Sequence, residues 1–100
     1  MAEPVIIELV VVDGRPTVRG ECDLSSTARL EAWLLSFDGH LAEVDLSEVT
    51  FFDSSGLRAF LNVRRDKPTM RIVEPSVAVR KVLEITGTLD YLTKPGEVAG

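Results

Sequence analysis

The chain is poor in the residues that carry redox, metal and hydrolytic chemistry. Among its 100 residues there is one cysteine, Cys22, and one histidine, His40. A single cysteine excludes an internal disulfide and fits a reducing compartment, so the cytoplasm is expected. One histidine and one cysteine, with no ligand pair around either, make no recognisable metal site. A serine hydrolase needs a G-x-S-x-G elbow with a paired base. Here the elbow is missing, and His40 is read at the start of the third strand, away from any candidate serine. No phosphate-binding P-loop and no G-x-G-x-x-G is present. No catalysis and no cofactor is therefore expected. Apolar runs fall short of the ~18 residues that a membrane helix needs, and Met1-Ala2-Glu3-Pro4 lacks the basic region of a signal peptide. Basic residues are outnumbered 11 to 16, giving a net charge of -5. That disfavours nucleic acid and anionic membrane as partners and suits a protein with a basic docking patch.

What is present is a core-forming composition, with 45% apolar and 27% charged residues. It predicts one globular domain over 1–100, with a core of about 5–92 and a fraying tail over 95–100. Val5 to Val12 is almost continuously apolar and β-branched and reads as a strand. Asp13-Gly14 signals a turn into a second strand, Thr17 to Cys22, which makes an N-terminal hairpin. Ser25-Ser26-Thr27 offers N-caps for a helix whose Leu30, Trp33, Leu34 and Phe37 fall at i, i+3, i+4, i+7, closing near Gly39. A third strand covers Leu41 to Leu46, with Val49, Phe51 and Phe52 in its exit. A helix after Ser55 presents Leu57, Phe60 and Leu61 to the core and stops at Lys67-Pro68. Met70 to Val73 is a fourth strand. Pro75-Ser76 opens a last main helix, with Gly87 as its C-cap, and a short strand or helix is possible near Tyr91. The order β-β-α-β-α-β-α predicts an α/β fold with a mixed sheet of four to five strands and three main helices, covering one or both faces.

The most informative stretch is Asp53-Ser54-Ser55-Gly56-Leu57, two hydroxyls and a carboxylate at a strand-to-helix corner. The first N–H groups of a helix lack partners and carry partial positive charge. A phosphate on a serine there is expected to be held by those groups. The plainer reading of the same residues is capping, with Ser54 as the cap and Asp53 bonding to backbone N–H groups.

Asp53-Ser54-Ser55-Gly56-Leu57 resembles the signature of STAS domains, specifically the anti-sigma factor antagonists of bacteria. Gly20-Glu21-Cys22-Asp23-Leu24, Val44-Asp45-Leu46-Ser47 and the run from Arg71-Ile72-Val73-Glu74-Pro75-Ser76 through Val82-Leu83-Glu84-Ile85-Thr86-Gly87 resemble the family in the same order. The resemblance implies the STAS fold, with helices mainly on one face. It implies Ser55 as the phosphoacceptor and Asp23, Leu24, Ser25, Asp53, Ser54, Ser55, Gly56, Leu57 and Arg58 as partner-binding residues. Asp45 and Ser47 are expected to end the third strand and shape the same face. Arg58 departs from the family, where glycine commonly follows the leucine. At i+3 from Ser55 it is placed to neutralise a phosphate or to alter the fit to a partner, and otherwise it is a solvated arginine. The implied function is partner switching. The unphosphorylated protein binds an anti-sigma factor, a serine kinase of GHKL type using ATP and Mg²⁺, and a PP2C-type phosphatase resets it. The other reading is a non-switching STAS scaffold or subunit, in a stress-signalling assembly or beside a lipid transporter.

Overall fold

The computed structural model describes residues 7–37 and 41–96. In chain order these form β1 (Ile7–Val12), β2 (Arg15–Cys22), α1 (Thr27–Leu35), β3 (Glu43–Phe52), α2 (Ser54–Asp66), β4 (Arg71–Val73), α3 (Val77–Ile85) and α4 (Leu89–Thr93). The four strands make one sheet in the order β1-β2-β3-β4. β1 is antiparallel to β2, and β2, β3 and β4 run parallel. The mixed α/β fold with its N-terminal hairpin and three main helices is as expected, with four strands and a short helix around Tyr91. The first helix ends earlier than the expected closure near Gly39, at Leu35 with Ser36 as its C-cap, so Phe37 lies beyond it. Val5, Gly39, His40 and residues 97–100 lie outside the described residues.

Local chemistry accounts for the elements. Asp13 and Gly14 both take positive φ, 51° and 78°, the pairing that matches the twist of a two-residue hairpin. Each later strand adds on the same side of its predecessor, so crossovers of one hand put α1 and α2 on the same face. That face is the apolar one. Ile7, Val18, Cys22, Val44, Leu46, Val49, Phe52 and Ile72 are all buried. On the opposite face stand Glu8, Arg15, Arg19, Glu43, Asp45, Glu48 and Arg71, joined as ion pairs: Glu8–Arg19–Glu48, Arg15–Glu43–Arg71 and Arg15–Asp45. A half-covered sheet is thus apolar on one side and charged on the other.

While β2 starts two residues earlier and β4 one residue later than expected, β3 departs furthest from its predicted extent. It continues six residues past Leu46, through the stretch read as an exit loop. Asp45 pairs with Thr17 and Glu48 with Arg19, so three steps along β3 match two along β2. A second extra residue falls between Val49 and Phe51. Such bulges absorb a residue without leaving the ladder. They let Val44, Leu46, Val49 and Phe52 all face the core although the spacing is not period two. Asp45 and Ser47 therefore lie within the strand, not at its end. Asp45 sits on the charged face beside Arg15, and the Ser47 N–H donates to its Oδ1 at 2.8 Å.

Helix α2 crosses this apolar face. Leu57, Phe60 and Val63 are buried, and the Phe60 ring lies 6.1 Å from that of Phe52. Full burial of one such side chain stabilises by about 1.5–3 kcal/mol. Arg64 is buried too, at 4% exposed. Its Nη1 donates to the Tyr91 carbonyl at 2.6 Å, and the guanidinium lies over the Tyr91 ring. This ties α4 to the end of α2. Gly96, which the sequence assigns to a fraying tail, is held by its N–H on the Pro68 carbonyl at 2.7 Å. A Cβ there would stand 2.5 Å from Arg64 Nε.

The Arg15–Glu43–Arg71 cluster yields a pH prediction. Arg71 donates to Glu43 at 2.6 Å and Arg15 at 2.9 Å. The Arg71 hydrogen bond, aided by Arg15, holds the Glu43 carboxyl below its ordinary range. A carboxyl depressed in the folded state stabilises above its unfolded pKa of about 4.3, and that contribution disappears as pH falls through the lower folded value. Glu43→Gln should lower the urea midpoint at neutral pH and flatten the acid side of the stability curve. An unchanged dependence on pH below about 4.3 would refute this role.

Candidate functional site

Two corners meet at one end of the sheet, one after β2 and one after β3, whose last residues Cys22 and Phe52 are paired. In the first, Asp23 organises the turn into α1. Its Oδ1 accepts from the Ser25 N–H at 2.9 Å and from the Ser25 hydroxyl at 2.6 Å, and its carbonyl accepts from the Ser26 and Thr27 N–H groups. The Ser25 hydroxyl is the main cause holding the Asp23 carboxyl below its usual range. Ser26 occupies the N-cap position, but its hydroxyl makes no cap bond. It donates back to the Glu21 carbonyl at 2.8 Å and accepts from the Asp23 N–H, closing the loop on itself. Leu24 stands at the tip of this turn, 81% exposed.

In the second corner the helix begins at Ser54, ahead of the expected start after Ser55, and the cap is Asp53, not Ser54. The Asp53 backbone is extended, and its Oδ1 accepts from the Ser55 N–H at 2.9 Å and the Gly56 N–H at 3.3 Å. The Leu57 N–H donates to the Asp53 carbonyl at 3.1 Å. Three successive N–H groups of the first turn are therefore engaged by Asp53. A carboxylate already holds the place foreseen for a phosphate. Asp53 is preferred over serine here because its negative charge also complements the helix dipole.

The reason α2 can come so close to the sheet is Gly56. A Cβ at this position would lie 2.8 Å from Phe52 Cε1 and 3.2 Å from Cys22 Cβ. Cys22 is fully buried between the corners, and burial, then the charges of Asp23 and Asp53, push its thiol up to about 12. The thiol is inert at neutral pH.

In front of this junction α1 and α2 leave an open groove of about 660 Å³. Leu24 and Leu35 stand along it, Ala28, Ala32 and Ala59 are among its small lining residues, and Ser54, Ser55, Arg58 and Glu31 bring polar groups to it. Ser54 is exposed and Ser55 half-buried. Of the residues singled out from the sequence, Leu24, Ser54, Ser55 and Arg58 share the groove. Asp23, Ser25 and Asp53 fix the two turns. Gly56 and Leu57 are buried and position α2 without offering surface. The α1 wall was missed. Its signal is Ala28 and Ala32, one turn apart beside the Leu30 and Leu34 stripe, where small side chains mark a close or open approach. Across the groove Asn62 donates to Glu31 at 3.2 Å.

Two substitutions test this geometry. Gly56→Ala should destabilise the fold by about 1–3 kcal/mol through overpacking against Phe52 and Cys22, and a neutral effect in urea unfolding would show that the contact relaxes freely. Asp53→Ala removes the cap and should lower stability by about 1 kcal/mol, with Asp53→Asn intermediate or close to native. Equal losses for Asn and Ala would point to charge rather than hydrogen bonding as the source.

Comparison with known proteins fits this architecture. A family model described as "Mlab, STAS domain" matches residues 11–93. Among solved structures the chain is similar to the anti-sigma factor antagonist SpoIIAA in its unphosphorylated form, with a TM-score of 0.64. That alignment has 24% identity over 91% of this chain and 89% of the other. No curated protein matches its sequence. With most of its length inside the family model, and both corners on the elements the motifs require, the chain belongs to the STAS domain family.

Proposed function

We propose that this protein is an anti-sigma factor antagonist that acts by partner switching in the cytoplasm. The observation that carries the reading is the meeting of two sequence-distant corners in one groove. Leu24, an exposed apolar side chain, stands on the same groove as Ser54, Ser55 and Arg58. An apolar anchor beside hydroxyls and a guanidinium is a surface suited to a protein partner, with a modifiable group at its centre. The fold likeness to an antagonist supports the same reading. No described helix is long and apolar enough to cross a membrane.

In this reading the unphosphorylated groove receives the anti-sigma factor, a GHKL-type serine kinase. The Ser55 Oγ attacks the γ-phosphorus of the ATP that the kinase holds with Mg²⁺. ADP leaves, and the hydroxyl proton passes to a base on the kinase. Phosphate then adds up to about two negative charges at the docking surface. Because the Asp53 carboxylate already accepts from the Ser55 and Gly56 N–H groups, the new charge stands beside a carboxylate. A penalty of about 3 kcal/mol lowers affinity more than a hundredfold, enough to exchange partners without a change of fold. A PP2C-type phosphatase restores the hydroxyl. The protein itself performs no catalysis and requires no cofactor, and nucleic acid is not its partner.

A second reading is a non-switching STAS subunit of a stress-signalling or lipid-transporter assembly; the family that matches is described as Mlab and STAS domain rather than as an antagonist. The groove then still docks a partner, but Ser55 stays a hydroxyl.

Incubation with candidate anti-sigma kinases, ATP and Mg²⁺, followed by peptide mass spectrometry, separates the two. One phosphate per chain is expected on Ser55, abolished by Ser55→Ala and retained in Ser54→Ala. Its presence should weaken kinase binding about a hundredfold or more. Tight binding to a kinase without any transfer of phosphate would favour the subunit reading, and transfer to Ser54 alone would refute the assignment of Ser55.

A further inference from the structure

We propose that Arg58 is the receptor, within the same chain, for a phosphate carried by Ser55, and that their pairing folds the phosphate into the groove between α1 and α2. The inference rests on the reading of Ser55 as phosphoacceptor and adds to it a mechanism of closure.

The geometry removes the usual alternative first. A phosphate at the start of a helix is ordinarily held by the free N–H groups there. On α2 the Ser55 and Gly56 N–H groups are bonded to Asp53 Oδ1, and that of Leu57 to the Asp53 carbonyl. A phosphate on the Ser55 hydroxyl meets a helix end whose anion site already contains an anion.

Charge around the corner makes a cation necessary. The carboxylates are Asp53 on the corner itself, Asp23 on the neighbouring turn and Glu31 on α1. Cys22 beneath them is a neutral thiol. Asp23 and Asp53 both lie close enough to act on that thiol. Among the described residues lining the groove, Arg58 is the one cation and Glu31 the one anion.

Arg58 is also available. It is exposed, one turn along α2 from Ser55, and lines the same groove. Residues at i and i+3 are neighbours on a helix surface. Among the described residues no carboxylate is paired with Arg58. Glu31, opposite, accepts instead from Asn62. A planar guanidinium presents two parallel donors to phosphate oxygens, a geometry that a lysine does not reproduce. Once formed, the pair occupies the space beside Leu24 that the partner needs, and it withdraws the groove's cation from any acidic group of that partner. Phosphorylation then closes the groove by filling it as well as by charging it.

The test uses the full chain with phosphoserine installed at position 55 during translation, so it does not depend on a kinase. The second phosphate pKa is followed by ³¹P NMR in three proteins: otherwise native, Arg58→Ala, and Arg65→Ala. Arg65 is an exposed arginine on α2 that does not line the groove, so its loss controls for net charge. Pairing favours the dianion, so Arg58→Ala should raise the pKa by about half a unit or more, while Arg65→Ala leaves it nearly unchanged. Equal shifts in the two variants, or no shift in either, would overturn the proposal. Failure of kinases to modify Ser55 would instead count against the proposed function, leaving this measurement intact.

Discussion

Everything in this fold depends on β3 keeping one face apolar along its whole length. It is paired on both sides, by β2 and by β4, and it passes beneath the helix layer. A ten-residue strand with strict alternation would turn Val49 or Phe52 toward solvent. Two extra residues relative to β2 correct the phase, so Val44, Leu46, Val49 and Phe52 are buried together. The cost is local irregularity in the ladder; the return is a continuous surface for α2 and α3. The same choice carries the strand far enough to deliver Phe52 beside Cys22, which fixes where the second corner lies.

At that corner close packing and electrostatics cooperate. Gly56 admits the first turn of α2 to contact distance with Phe52 and Cys22, and the Asp53 side chain satisfies the Ser55 and Gly56 N–H groups that this turn would otherwise leave unpaired. The two requirements are separate. Glycine answers a steric demand from the sheet, aspartate a hydrogen-bonding demand from the helix. Between them they leave Ser54 and Ser55 with no part in capping, and both hydroxyls remain on the groove. A pair of serines that are not needed for structure, beside an exposed leucine, is the physical content of the corner as a functional site.

Much of this was legible beforehand. The hairpin turn at Asp13-Gly14, the apolar stripe of α1, the stop at Lys67-Pro68 and the N-cap Ser76 follow from local rules, because each depends on preferences of the residues themselves. Gly87, read as the C-cap of α3, stands one residue past the actual cap Thr86, at positive φ. The errors share one cause. The strand end after Leu46, the placing of Asp45 and Ser47 at the corner, and the choice of Ser54 as cap were judged from local spacing. Each was decided by a partner elsewhere in the chain: β2 for the bulges, Arg15 for Asp45, and the sheet beneath Gly56 for the starting point of α2. Arg64 is a similar case. On a helical wheel it falls on the same face as Leu57, Phe60 and Leu61, and what lets a guanidinium be buried there is the Tyr91 ring and carbonyl, a long way along the chain.

The sequence by itself determined the class of fold, the order of its elements and the motif on which function is centred, since period, turn residues and motif spacing are properties of neighbouring residues. Only the tertiary structure decided that Leu24 and Ser55 share a groove, that α1 supplies its far wall, and that Asp53 consumes the N–H groups a phosphate would have used. These are distances between segments far apart in the chain. They exist only once the parallel pairing of β2 with β3 has brought both corners to one end of the sheet.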